Sequence, residues 1–238
     1  MRHFWFVLLA SAGLLMAQDD YFLGSRVSLI QIQGGWNVPD KSSDIYTFSE
    51  ENLTFDSDEL DGPLFQINYQ FQVNNYVAIG GGWSHYSEKV DSEDRFYEFE
   101  DGDAIRQETS LETNFVGAMV TITPFGAGTF FGTKAWLPRL FVPYIQVAAG
   151  FKSWDFYQDG YFVDVDTLEV FRDTFTDDGV SGALRAGIGL RINITKNIDF
   201  DLSAQQDFAD DELAGDFEGF GDLDLGAKSY LAGITLRF

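Results

Sequence analysis

Cysteine is absent from the 238-residue chain. That excludes disulfides, thiolate metal ligands and a lipidated N-terminal cysteine. Histidine is almost absent: beyond His3 only His85 remains, which excludes a histidine-rich transition-metal centre. Basic residues are few, with 15 Lys and Arg against 38 Asp and Glu and a formal net charge of −23. Nucleic acid is excluded as a partner, because its phosphates would be repelled. Long apolar runs are missing as well. After residue 17 no stretch of 18 consecutive apolar residues occurs, so helical membrane spans are not expected.

What is present begins with an export signal. Arg2 gives a positive start, Phe4 to Leu9 and Gly13 to Met16 are apolar, and Ala17 is a small residue before Gln18. This is the layout of a secretory leader. Its apolar part, ~14 residues, is shorter than the ~20 of a spanning helix. Residues 1–17 are therefore expected to be a signal peptide and 18–238 the exported domain. Without disulfides, that domain must be held by its backbone ladder and its packing.

The exported part repeats stretches of about ten residues in which polarity alternates, the period of a strand with one apolar and one polar face. Phe65, Ile67, Tyr69, Phe71 and Val73 alternate with Gln66, Asn68, Gln70 and Gln72. The same pattern runs through 184–194, 198–208 and 229–238. Weaker strands are expected over 27–36, 77–86, 111–123 and 141–152, with Val116, Ala118, Val120 and Ile122 outward.

Connections at 74–76 and 195–197 are tight, whereas 37–62, 87–110, 153–180 and 209–223 are long. An irregular turn is expected at 124–140, where Pro124, Gly126, Gly128, Trp136 and Pro138 fall. Asp101-Gly102 between 95–100 and 103–107, and the pair 161–166 with 170–175, read as hairpins that carry strands beyond a bilayer. The four long segments with their margins hold 33 of the 38 acidic residues. The fold class expected is all-β: an eight-stranded antiparallel transmembrane barrel with short periplasmic turns and long acidic extracellular loops.

In this pattern, and in its last six residues Gly233-Ile234-Thr235-Leu236-Arg237-Phe238, the chain resembles the small outer-membrane barrel family of OmpA-type transmembrane domains, OmpX and OmpW. Gly233, Leu236 and Phe238 match that family's C-terminal assembly signal, while Leu231 departs from the polar residue usual there. The resemblance implies recognition by the barrel-assembly machinery and a place in the bacterial outer membrane.

An eight-stranded barrel is just wide enough for side chains to fill it. The inward set expected is Gln66, Asn68, Gln70, Gln72, Gln146, Arg185, Arg191, Asp199, Asp201, Ser203, Gln205, Asp207 and Arg237. If the tight turn sets Ile194 opposite Ile198, then Asn193 faces Asp199, Arg191 faces Asp201 and Arg185 faces Asp207. Opposite charges directly across a strand pair are favourable, so a ladder of Arg–Asp contacts sealing the lumen is expected.

Three candidate chemistries remain. Asp210, Asp211, Asp216 and Asp222 lie in one loop and are hard-oxygen candidates for Ca²⁺ or Mg²⁺, although no EF-hand spacing is present. Divalent ions could also bridge the acidic loops to lipopolysaccharide phosphates. His85 and Ser87, with Glu98 or Glu100 as orienting acid, are the one candidate catalytic set; they resemble the histidine-x-serine arrangement of lipid A deacylases. Trp36, Trp83, Trp154 and Phe208 are expected to form one membrane-interface girdle, and Phe71, Tyr76, Phe125, Trp136, Phe141 and Phe238 the other.

The function expected is a non-enzymatic, monomeric outer-membrane protein. It would act in surface interaction or envelope integrity through its acidic loops, contact membrane lipid and lipopolysaccharide, and need no cofactor. A narrow conduit or carrier for small hydrophobic molecules is the alternative. A lipid-modifying barrel enzyme is the third reading.

Overall fold

The computed structural model describes residues 22–23, 28–131, 135–164 and 167–238. The expected leader and Val27 lie outside these residues. Eight long strands form the frame: β1 (Ser28–Pro39), β2 (Gly62–Gln72), β3 (Val77–Glu98), β4 (Ala104–Ile122), β5 (Phe141–Val163), β6 (Val170–Thr195), β7 (Ile198–Phe208) and β8 (Ala227–Arg237). Each pairs antiparallel with its sequence neighbour, and β8 pairs with β1 to close the ring. Ser28 N–H donates to the Phe238 carbonyl at 2.8 Å, and Phe238 N–H returns the bond at 3.0 Å. Within the span a ring of this kind has no free edge, so its backbone groups are satisfied along the ladder except at local bulges.

The alternation in sequence becomes two faces. Along β2 every even residue from Gly62 to Gln72 is buried and every odd one exposed. The exposed members are Phe65, Ile67, Tyr69 and Phe71, whereas Gln66, Asn68 and Gln70 are inside. Apolar out and polar in is the reverse of a water-soluble sandwich. Such a wall is stable against lipid chains. Val116, Val120 and Ile122 also face outward.

At the first periplasmic turn, Asn74 Oδ1 accepts the backbone N–H groups of Tyr76 and Val77 at 2.7 and 3.0 Å, the side-chain-closed turn that asparagine favours. The second turn corrects the expected register at one point. Ile198 lies opposite Thr195, not Ile194, and the ladder shifts between Ile198 and Asp199. Ile194 is the extra residue of a bulge. Beyond it Asn193 faces Asp199, Arg191 faces Asp201 and Arg185 faces Asp207.

The remaining periplasmic connection, 124–140, holds a hairpin and is not an irregular turn. Gly128–Phe131 pairs with Ala135–Pro138, and Phe22–Leu23 adds a third strand.

The long loops divide into two kinds. Segments 87–110 and 153–180 are mostly strand: β3 to β6 run 22, 19, 23 and 26 residues, against 11 or 12 in the others. A tilted span needs ~9–11 residues, so about half of each long strand stands outside the bilayer. The Asp101-Gly102 turn closes one hairpin with Gly102 at φ +87°, and Val163 opposite Val170 ends the other.

Segment 37–62 holds a helix the sequence reading did not anticipate, α1 (Asp44–Asn52), followed by a 3-10 turn at Ser57–Leu60. Segment 209–223 folds into a small ladder, Asp210–Glu212 on Asp222–Asp224, around a 3-10 turn at Gly215–Phe217.

These loops fold inward. Ile45, Tyr46, Phe55, Leu60, Phe217 and Leu223 pack with Tyr86, Leu111, Phe115, Phe156 and Leu231 of the wall into one apolar cluster. The interior therefore changes with height, from a polar span whose charged pairs reach up to Asp207 and Lys152 to an apolar cluster roofed by loops.

Candidate functional site

The interior of the membrane-spanning ring carries seven buried charged side chains: Asp199 and Arg237 at the periplasmic end, Arg191 and Asp201 next, and Lys152, Arg185 and Asp207 towards the extracellular end. Six were expected from the strand pattern. Lys152 was missed, although it shares the parity of Gln146 on the same strand.

Each arginine meets one carboxylate and one aromatic face. Arg185 holds Asp207 through two bonds, at 2.5 and 2.8 Å, and its Cζ lies 4.2 Å from the Phe115 ring centre. Arg191 reaches Asp201 at 3.2 Å and lies 4.5 Å from the Tyr144 ring centre. Arg237 reaches Asp199 at 2.5 Å and lies 5.4 Å from the Trp136 ring centre. A desolvated guanidinium gains from both partners.

The remaining valences are filled by amides and hydroxyls. Asp201 also accepts from Gln31 (2.8 Å), Gln33 (3.1 Å), Tyr144 (2.8 Å) and Thr235 (3.0 Å). Arg185 donates further to Gln66 and Ser84. Lys152 Nζ lies 2.8 Å from Asp207 and donates to the Leu225 carbonyl at 2.8 Å. Leu225 belongs to the extracellular segment before β8, so Lys152 ties the charged network to the loop roof.

Two tryptophans correct the girdle assignment. Trp136 is 1 % exposed and packs with Leu29, Ala127 and Val142 across the periplasmic end of the barrel. Its Nε1 donates to Asn75 Oδ1 at 3.1 Å. Trp154 is buried too, with Nε1 donating to Asp211 at 2.8 Å. Each indole finds an internal acceptor, so each is worth more inside than at the lipid boundary. Trp36, Trp83 and Phe208 at one end, and Phe71, Tyr76, Phe125 and Phe141 at the other, are exposed on the wall.

The candidate catalytic set is not assembled as expected. His85 lies on the outer wall, its ring stacked on Trp83. Its Nδ1 lies 3.0 Å from Asn114 Oδ1 and 3.8 Å from Glu112. Among the described residues no hydrogen bond joins His85 to Ser87. Glu98 sits 13 residues further along β3, ~43 Å away at the strand rise, and Glu100 lies beyond it. Neither can orient the imidazole.

The acidic loop residues are likewise dispersed. Asp210 pairs in the ladder with Asp224, and Asp222 with Glu212. Asp211 accepts from Trp154, and Asp216 from the Thr176 N–H at 3.0 Å. Among the described residues no group of three or more His, Asp or Glu side chains could hold a metal ion.

Other carboxylates stand in a row on the outer wall above Trp83. Glu112 lies opposite Asp155 and Asp155 opposite Asp178. Partial burial, with the charges of Asp178 and Glu112, pushes the Asp155 carboxyl above its ordinary range. On the neighbouring extension Lys89 bonds Glu108 at 2.6 Å and holds that carboxyl below its ordinary range.

Of the three residues of the expected C-terminal signal, Gly233 has a steric role at the closing seam. A Cβ there would stand 2.0 Å from the Ile32 carbonyl oxygen of β1, so a side chain would force the closing seam apart. Leu236 and Phe238 are half-buried at the outer wall.

No protein-family model and no curated protein matches the chain. Solved structures do. Ail, the attachment invasion locus protein of Yersinia pestis, solved with the heparin analogue sucrose octasulfate, is 14% identical over 90% of this chain and 100% of its own, with a TM-score of 0.43. The outer membrane protein OprG from Pseudomonas aeruginosa is 12% identical over 93% and 99%, at 0.48. A major outer membrane protein from Thermus thermophilus is 12% identical over 90% and 100%, at 0.44.

The class rests on the chain's own architecture: a closed eight-strand ladder, an apolar lipid-facing wall and a polar lumen. The protein is a small β-barrel of the bacterial outer membrane.

Proposed function

We propose that this barrel is closed to permeation and acts at the cell surface, in interaction or envelope integrity, through its acidic extracellular cap. The observation that carries the reading is the environment of Asp201. It has no exposed surface and takes donors from Arg191, Gln31, Gln33, Tyr144 and Thr235. A path for ions would have to break several of these bonds at once, and each broken charged partner carries a large desolvation penalty. Trp136 below and the loop cluster above add two further barriers in series.

The cap supplies charge rather than a chelating cage. Its exposed carboxylates attract divalent cations diffusely, and Ca²⁺ or Mg²⁺ held there would bridge to lipopolysaccharide phosphates. The protein acts as a monomer, without a cofactor, after insertion by the barrel-assembly machinery. It is not an enzyme: His85 is held by Asn114 on the lipid side, with no base–nucleophile contact to Ser87. A shallow hollow of about 1050 Å³ lies on the lipid-facing wall beside Gly34, Trp36, Leu202 and Tyr230. Lipid chains fill such a surface.

Planar-bilayer recording of the refolded protein tests the reading. Silence at moderate voltage is expected, and reproducible unitary steps would sink it in favour of the conduit. Lipid A or phospholipid ester hydrolysis that disappears in His85→Ala would establish the enzyme instead.

A further inference from the structure

The extracellular roof contains a cavity of about 290 Å³ that the sealed-lumen reading does not use. Six segments build it: α1, the outer ends of β3, β4, β5 and β6, and the 3-10 turn that ends at Phe217. Its walls are aromatic, with Phe48, Phe96, Tyr97, Phe162, Phe175 and Phe217 among them. The rings are fixed against one another. Phe162 and Phe175 meet edge to face at 4.6 Å, and Phe48 meets Phe220 at 5.1 Å. Yet Phe48 is 51 % exposed and Phe96 70 %. Above the bilayer these rings face water, so leaving them bare costs hydrophobic free energy with no lipid to offset it.

The charged groups of the cavity have one sign, beside the neutral Ser49, Asn52, Gln107 and Gln158. Asp94 and Asp216 line it. Asp94 Oδ1 accepts from the N–H groups of Phe96 and Tyr97, and Asp216 Oδ2 from that of Thr176. Among the described residues neither carboxylate makes an ion pair. The arginines beside the cavity are engaged elsewhere: Arg95 donates to the Glu50 carbonyl at 3.1 Å and Arg172 to Asp159 at 3.2 Å. Aromatic faces and unpaired carboxylates both attract a cation, and the faces also take apolar surface.

We propose that this cavity binds a small apolar amine, with its hydrocarbon body against the phenylalanines and its ammonium group at Asp94 and Asp216. The inference goes beyond the sealed-lumen reading and depends on the cap alone. A conducting barrel would overturn that reading and leave this one untouched.

The test is calorimetric titration of the full chain refolded in micelles. Phenethylamine is the probe, with 2-phenylethanol and phenylacetate as its neutral and anionic analogues. Saturable one-site binding of the amine is expected, about tenfold or more weakened for the alcohol and absent for the acid. Asp216→Asn and Phe96→Ala should each weaken the amine several-fold; Phe96 is exposed enough that its loss leaves the fold intact, as heat-modifiability on gels will verify. Equal binding of the three probes, non-saturable uptake of the amine, or unchanged binding by both variants would overturn the proposal.

Discussion

Arg237 of the last strand lies over the ring of Trp136, guanidinium carbon to ring centre 5.4 Å, although Trp136 belongs to a hairpin outside the barrel wall. The periplasmic connection is thus not a passive link. It returns an indole to the barrel axis, under the last member of the arginine series. With Asn75 accepting from the indole N–H and Asp199 bound to the guanidinium, the contact joins turn, hairpin and lumen into one unit.

Removing that ring is the most direct test of the periplasmic barrier. Trp136→Ala is expected to cost about 3–5 kcal/mol, the range for deleting a large buried aromatic, read as a lowered urea midpoint in micelles. Trp136→Phe keeps the apolar body and loses the bond to Asn75, so its cost should be smaller. Conductance that stays silent in Trp136→Ala would locate the main barrier in the charged network above.

Asp207 binds both Arg185 and Lys152, and its loss strands two buried cations. Asp207→Leu is expected to destabilise by about 3–5 kcal/mol, because an uncompensated buried charge is costly. The double variant Arg185→Met/Asp207→Leu should recover the share due to Arg185, while Lys152 stays without its carboxylate. Unfolding of the single and double variants under one set of conditions decides it, and a double variant worse than the single would refute the coupling.

The row Glu112, Asp155 and Asp178 predicts a pH dependence. The folded state raises the Asp155 carboxyl above its unfolded value, so the native protein binds that proton more tightly. This contribution is fully present below the unfolded pKa and lost as pH rises through the folded one. Asp155→Asn should therefore stabilise the protein at neutral pH and change little at pH 3. Mg²⁺ should mimic the substitution at neutral pH, and EDTA should reverse the effect of Mg²⁺. A neutral-pH thermal midpoint unaltered by the substitution would remove the repulsion as a cause.

Gly233 should matter for assembly more than for any surface role. Gly233→Val places side-chain atoms against the Ile32 carbonyl, and the β1–β8 seam must open to admit them. Slower appearance of the heat-modifiable folded band is expected, with no change in the loops. Normal folding kinetics would show that the seam relaxes freely.

The wall was legible because a strand in lipid must alternate. Phe65 to Val73, and the last residues up to Phe238, carry that period without interruption, and the Arg–Asp opposition across 195–197 followed from it. The shift at Ile194 was not legible, since a bulge leaves the polarity pattern beyond it intact. Lys152 was legible in principle from its parity with Gln146. Trp136 and Trp154 were not: a tryptophan near a strand end suits an interface girdle or an interior equally, and the choice depends on Asn75 and Asp211, distant in sequence.

The sequence by itself determined a closed transmembrane barrel, its inner and outer faces and its acidic crown, because these follow from local period and charge. Only the tertiary structure decided what fills the two ends. The apolar residues of the crown lie scattered among its acids in several loops. Nothing local declares that Tyr46, Phe55, Phe217 and Leu223 will turn inward together, or that Phe48 and Phe96 will line a cavity beside them. That arrangement is set by burial, which depends on which segments meet above the barrel and not on the order of residues within any one of them.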